Sequence, residues 1–337
     1  MKLLHKLKML WYELQMDIWG TWKFFCNQEK NIEKNLITNH YNEQKDIKVD
    51  NAIVFTCNGW VWSGGLADRL KGILGVYQWC KENNKKFEIN FIDPFVLQNY
   101  LKPNKYDWIP KQISYNLKFA LPKVCLLEPR TSRRKDVLPR RNELIKTWLD
   151  DNLNDSYHQL HVYTNLLLTD IDFANLFNEL FVPCERLQKE ILKNIDAIGE
   201  KFISISFRFT TLLGDFTDCT GKPLPDDEKK ILIKQSISVI SKISKIAPHH
   251  NKILVTADSM TFLREVVKLE NVYVISGKVG HMDYDSGDDV TMKTFLDFLM
   301  IGNAEAVYLA KGPGMYNSSF AKTSALLHNK PFVVYEY

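Results

Sequence analysis

Apolar residues along this chain follow two rhythms. Short apolar runs at 52–57, 87–92, 202–207, 253–256, 272–275, 306–309 and 332–335 read as strands. Between them the spacing changes to three and four residues. Leu66, Leu70, Leu74, Tyr77 and Cys80 mark one helical face, and 227–246, 259–268, 291–302 and 319–328 carry similar patterns. Strands alternating with helices predict parallel sheets covered by helices, an α/β fold. Prolines at 94, 103, 110, 122 and 139 interrupt the region 93–165, where 123–127 and 161–164 are the strands predicted. A linking helix at 185–198 divides two Rossmann-like domains, 51–184 and 185–337, expected to face a cleft.

The first 50 residues stand apart. Leu3, Leu7, Leu10, Leu14 and Ile18 recur at helical spacing, with Trp11, Trp19 and Trp22 beside them and Lys2, Lys6, Lys8 and Lys23 adding charge. Such a helix over 1–25 suits an anionic membrane surface, or else a face of its own protein. The polar stretch 27–50 reads as a tether.

Composition narrows the classes. With 45% hydrophobic and 25% charged residues in 337, the chain is globular and long enough for about two domains. A net charge of only +4 argues against a dedicated nucleic-acid binder. The six cysteines have neither zinc spacing nor disulfide rhythm, which predicts reduced thiols in the cytoplasm. No run reaches the ~20 apolar residues of a spanning helix, and lysines interrupt any signal-like start.

In a parallel α/β sheet, ligands bind beyond the carboxyl ends of the strands. Arg208 follows the run 202–207, Asp258 follows 253–256, and after 306–309 come the loop Lys311-Gly312-Pro313-Gly314 and Asn317-Ser318-Ser319-Phe320 opening a helix. Arginine offers a planar fork to phosphate oxygens, and helix-start serines offer donors to an anion. Asp258 can accept from a ribose or base. Each of these also has a plain use, since serine and aspartate cap helices. Gly64 and Gly65 permit a tight turn before Asp68 and Arg69, without the spacing of a Walker motif or a dinucleotide fingerprint.

Together these segments resemble a known group. Gly64-Gly65-Leu66-Ala67-Asp68-Arg69 is similar to the N-terminal Gly-Gly-Leu-Gly-Asn-Gln motif of the fucosyltransferase superfamily. The strand ending in Arg208 is similar to its His-x-Arg-Arg-x-Asp segment, and Val255-Thr256-Ala257-Asp258 to its Thr-Asp strand end. Asp297 through Phe320 resembles its last signature, a helix bearing Asp, a strand, then Ser-Ser-Phe. The resemblance implies a GT-B fold and GDP-fucose as donor, with the C-terminal domain binding it. It places Arg208, Ser318 and Ser319 at the diphosphate and Asp258 and Asp297 near the nucleoside. The pattern departs at three positions, where Ser206, Phe209 and Thr211 replace the histidine, the second arginine and the aspartate.

Inverting glycosyl transfer needs a base for the acceptor hydroxyl and stabilisation of the departing diphosphate. Asp68 is the first candidate base and Asp215 the second; Arg208 stabilises the leaving group without a metal. Asp283-Tyr284-Asp285 matches the Asp-x-Asp pattern of metal-dependent GT-A enzymes but reads as a charged loop, and His281 beside it is placed on the acceptor side. The basic run Arg130 to Arg141 is either solvated surface or a contact for an anionic partner. The resulting expectation is a metal-independent transferase at the inner face of a membrane, acting on a glycan or lipid-linked glycan in cell-surface polysaccharide synthesis. A different nucleotide-sugar donor, or a non-catalytic binding protein on the same scaffold, is the alternative.

Overall fold

The structure is a computed structural model that describes residues 21–44, 47, 49–126, 141–154, 157–166, 168, 170–216, 222–281 and 287–337. The chain begins with α1 (Thr21–Asn39), β1 (Ala52–Cys57), α2 (Leu66–Glu82), β2 (Phe87–Phe91), β3 (Leu101–Pro103) and β4 (Ala120–Cys125). It continues through α3 (Arg141–Leu153), β5 (Gln159–Thr164), α4 (Phe173–Leu180), β6 (Phe181–Pro183), α5 (Glu185–Ile198), β7 (Phe202–Phe207) and α6 (Asp226–Ile246). The last elements are β8 (Lys252–Ala257), α7 (Met260–Val266), β9 (Val272–Tyr273), α8 (Asp288–Asn303), β10 (Val307–Lys311), α9 (Phe320–Ala325) and β11 (Phe332–Glu336).

The described residues fall into two compact units. One comprises the described residues as far as Gly64 with those of Asp68–Asp93 and Tyr106–Asp172; the other comprises those of Gly65–Ala67, Pro94–Lys105 and Phe173–Tyr337. In the first unit a parallel sheet runs in the order β2-β1-β5-β4. All six residues of β1 and of β5 are buried; β1 accordingly reads as a continuous apolar run, whereas β5 carries Gln159, His161 and Thr164 at buried positions. Helix α2 lies close to β5: a Cβ at Gly72 would meet the Thr164 carbonyl oxygen at 2.3 Å, so only glycine fits there.

The tether expected from residue 27 is helical as far as Asn39. Its polar residues are used against the sheet edge. Glu33 accepts the Val124 amide and Glu29 the Leu126 amide, each at 2.7 Å, so two glutamates close the open side of edge strand β4. Leu36 is buried over the same strand. Polar composition had hidden a helix whose glutamates bind backbone. The amphipathic segment expected at 1–25 lies outside the described residues up to 20.

The second unit holds a parallel sheet in the order β11-β10-β7-β8-β9. Its core gathers Ile203, Ile205 and Phe207 of β7, Ile253 and Val255 of β8, Ile240 and Ile243 of α6, and Phe262 of α7. β9 is shorter than the run 272–275 implied, with two paired residues. Segment Pro94–Lys105 groups with this unit because β3 pairs antiparallel with β6 and Tyr100 stacks on Phe295 with centroids 4.9 Å apart. Tyr100 also donates to Asp288, which is held bidentately by Arg186, and the arginine beside Asp288 holds its carboxyl below the usual range.

Candidate active site

Strand β7 is the pivot of the second sheet. The chain moves from β7 to β8 and β9 on one side, then crosses back to place β10 and β11 on the other. The order therefore reverses between β7 and β10, and the crevice at the carboxyl ends of these two strands is where such sheets bind ligands.

The β7 turn is set by Asp258. This carboxylate, 5% exposed at the end of β8, accepts the amides of Phe209 at 2.8 Å and Thr210 at 2.7 Å. The turn puts Thr210 in the left-handed region at φ +54°. Arg208 pairs with the same carboxylate at 3.2 Å, and its guanidinium lies 4.6 Å from the centre of the Phe216 ring. Burial pushes the Asp258 carboxyl up, while Arg208 and the two amides pull it back. Phe209, at the position of the family's second arginine, is fully buried against Phe207 and Phe262.

The β10 loop meets this turn directly, because the Tyr316 amide donates to the Arg208 carbonyl at 3.1 Å. Between turn and loop lies a pocket of ≈ 400 Å³. Thr210, Thr211 and Leu212 line it from the β7 side, and Lys311, Gly314, Met315, Tyr316 and Asn317 from the β10 side. Among the described residues its wall carries one cation, hydroxyl and amide groups, and no carboxylate. Lys311 pairs at 2.9 Å with Glu336, whose side chain is 70% exposed, an ion pair of small energy.

The predicted residues divide into groups. Arg208 and Asp258 are in contact, and His281 joins them through Phe216, whose ring is 5.9 Å from the imidazole. Asp215 reaches the same region, but its Oδ2 accepts from Ser259 Oγ at 3.0 Å and from the Thr261 amide at 2.6 Å. It thereby closes the start of α7. Ser318 Oγ accepts the Phe320 amide at 3.2 Å, and the Ser319 carbonyl accepts the Thr323 amide at 2.8 Å, so both serines build the entry to α9 next to Asn317. Phe320 packs its ring on Phe298, with centroids 5.2 Å apart. Asp297 is 8% exposed and held by Lys293 one helical turn away; burial raises its carboxyl and the ammonium opposes that. It is not part of the pocket wall.

In the first unit, Gly64 takes a positive φ of +74° as the glycine turn requires, and Asp68 pairs with Lys71 at 2.7 Å. Arg69 is 3% exposed, with its guanidinium 5.8 Å from the centre of the Phe91 ring. Burial pushes the neighbouring Cys57 thiol up to about 11, against the pull of Arg69. Gly65, which groups with the second unit, has no described residue other than its chain neighbours within 4 Å of its Cβ position. Residues 283–285 and 130–140 lie outside the described residues. Among the described residues no group of three histidine, cysteine or acidic side chains is placed to hold a metal ion, and no helix is long and apolar enough to cross a membrane.

The sequence placed Lys311 and Asn317 in the segment beyond 306–309 that faces this edge but gave neither a role, and Thr210 was passed over. Lys311 ends a strand next to the pivot, and that position was the signal.

No protein-family model matches the sequence, and no curated protein matches it. Solved structures do. NodZ α-1,6-fucosyltransferase soaked with GDP-fucose superposes with a TM-score of 0.53 at 13% identity, over 82% of this chain and 93% of that one. NodZ from Bradyrhizobium gives 0.51 at 12% identity, over 82% and 94%. A mutant of Arabidopsis thaliana FUT1 in complex with GDP gives 0.51 at 11% identity, over 98% and 79%. Identities this low establish architecture, and the architecture of this chain is a fucosyltransferase-like α/β fold of the GT-B type.

Proposed function

We propose that the chain is an inverting glycosyltransferase that moves fucose from GDP-fucose to a hydroxyl of a glycan. The observation that carries this reading is the carboxylate-free pocket at the β7–β10 reversal, with Lys311 in its wall and Arg208 on the adjoining turn. A nucleoside diphosphate is the anion of suitable size and charge for such a pocket. The fold shared with NodZ soaked with GDP-fucose and with FUT1 bound to GDP supports the choice of donor.

In the reaction the acceptor oxygen attacks the anomeric carbon, the bond from that carbon to the phosphate oxygen breaks, and GDP departs. Residues 185–337 act as the donor side, where Lys311 and Arg208 offset the charge gathering on the diphosphate, and Ser318, Ser319 and Phe320 support the loop that bounds it. In this proposed scheme the two cations take the role that a metal ion would otherwise play. Residues 51–184 act as the acceptor side, with Asp68 taking the hydroxyl proton; Asp215 is the weaker candidate because its Oδ2 already closes α7. The buried Phe209 favours a second reading, the same chemistry with another nucleotide-sugar donor, because one family cation is replaced. The leucine, tryptophan and lysine pattern of 1–25 supports work at the inner face of a membrane, in polysaccharide synthesis.

The test is release of GDP from GDP-fucose in EDTA, with a panel of glycans and with UDP-sugars as the competing arm. Turnover should fall at least about 100-fold in Asp68→Asn while GDP binding is kept. Activity restored only by manganese would overturn the metal-free scheme, and unchanged turnover in Asp68→Asn would remove the assigned base.

A further inference from the structure

The first sheet also reverses its strand order. From β1 the chain goes to β2 on one side and, later, to β5 on the other. The loop 58–63 leaves β1 at this reversal and exposes two indoles, Trp60 at 36% and Trp62 at 50%. Most exposed aromatics are incidental. These stand on a base of buried polar groups.

The order of donors in that base is fixed by its far end. Gln159 Nε2 donates to the Gln112 carbonyl at 2.8 Å, so Gln159 Oε1 must be the acceptor for the Ser114 amide and for His161 Nε2–H. His161 Nδ1 is then bare and accepts the Tyr41 hydroxyl at 2.7 Å. Burial of the imidazole pushes its pKa down to about 3, which keeps it neutral. Tyr41 oxygen accepts in turn from the Tyr163 hydroxyl at 3.1 Å, and Tyr163 oxygen accepts from Asn58 Nδ2 at 3.4 Å. That orientation points Asn58 Oδ1 to the Trp60 amide at 3.3 Å. The Trp60 ring is also stacked on His40, with centroids 4.2 Å apart, and tilted against Tyr115. A directed chain of hydrogen bonds thus fixes the Trp60 amide, and the stack on His40 holds its partly exposed ring, before any ligand arrives, which lowers the entropy cost of binding.

We propose that Trp60 and Trp62 form a stacking platform for a neutral sugar ring. A pyranose has an apolar C–H face that fits an indole and a rim of hydroxyls that needs amides and carboxylates. The loop 58–63 has no charged side chain, and the Asp93 carboxylate lies against Gly59. An acid at the loop accepts from sugar hydroxyls and repels phosphates. Binding of the sugar stands on this geometry alone; its identity as the acceptor rests on the transferase reading.

The experiment is saturation-transfer NMR and calorimetry of the full chain with neutral tetrasaccharides of glucose, mannose, galactose and N-acetylglucosamine. GDP is titrated in parallel. At least one saccharide should bind saturably, and Trp62→Ala should weaken it about tenfold while Trp62→Phe retains most affinity and thermal stability is unchanged. Failure of every tetrasaccharide, equal affinity in Trp62→Ala, or Trp62-dependent binding of phosphatidylcholine vesicles instead would overturn the platform. GDP binding unaffected by these variants would show that the donor reading survives such a failure; loss of GDP binding in the unmutated chain would strike the donor reading and leave the platform intact.

Discussion

Asp258 holds the Arg208 guanidinium at 3.2 Å while accepting the amides of Phe209 and Thr210, so one buried carboxylate fixes both a cation and the turn beside the pocket. Removing it leaves two amides and a guanidinium short of an acceptor. Asp258→Ala should lower stability by about 2–4 kcal/mol in urea unfolding and abolish nucleotide binding. Arg208→Ala, which leaves the two amide contacts in place, should cost less stability and still weaken the nucleotide. Equal stability of Asp258→Ala and the parent would refute this account of the turn.

Lys311 separates binding from folding. Its partner Glu336 is mostly exposed, so Lys311→Met should change stability by less than about 1 kcal/mol. The same variant should bind GDP about tenfold more weakly, with a shallower dependence on salt, and treat uncharged guanosine as the parent does. A parallel loss for guanosine and GDP, seen by calorimetry, would mean that the lysine acts through pocket shape and not through charge.

The neutral His161 at the centre of the first unit gives a pH signature. Its folded pKa of about 3 lies below the usual histidine value, so the unfolded chain binds one more proton between about 6.5 and 3. Stability from this group is complete above the unfolded value and is lost as pH falls, with a slope near 1.4 kcal/mol per pH unit. Chemical unfolding of the parent and of His161→Gln across pH 7 to 4 compares the two slopes. The variant should be flatter and less stable at pH 7; identical slopes would contradict a buried neutral imidazole.

Much of the fold was legible because parallel strands buried on both faces are largely apolar. β1, β5 and β7 are buried at all their residues, and β1 and β7 stood out directly. β4 was harder to place, since as an edge strand it carries Pro122 and half-buried positions. Helix α1 was missed because Glu29 and Glu33 look solvent-facing until the strand amides they accept are known. At the site, Arg208 and Asp258 were marked by strand ends, yet their pairing depends on the alignment of β7 with β8. Arg69 and Asp297 look like ligands in sequence and are buried in the structure, and nothing in local spacing distinguishes the two states. Lys311 was visible as a residue at a strand end, but its place beside Arg208 depends on the crossover that returns the chain next to β7.

Under the proposed function, the pocket at the β7–β10 reversal takes a nucleoside diphosphate. Calorimetric titration of the purified chain with GDP and UDP in EDTA tests it most directly. At 100 times the dissociation constant, a bound ligand adds about 2.7 kcal/mol of stability, so a thermal shift on the same samples provides an independent reading. GDP should bind saturably in EDTA, more tightly than UDP, and more weakly in both Lys311→Met and Arg208→Ala. Absence of binding by either diphosphate to a folded chain would contradict this function.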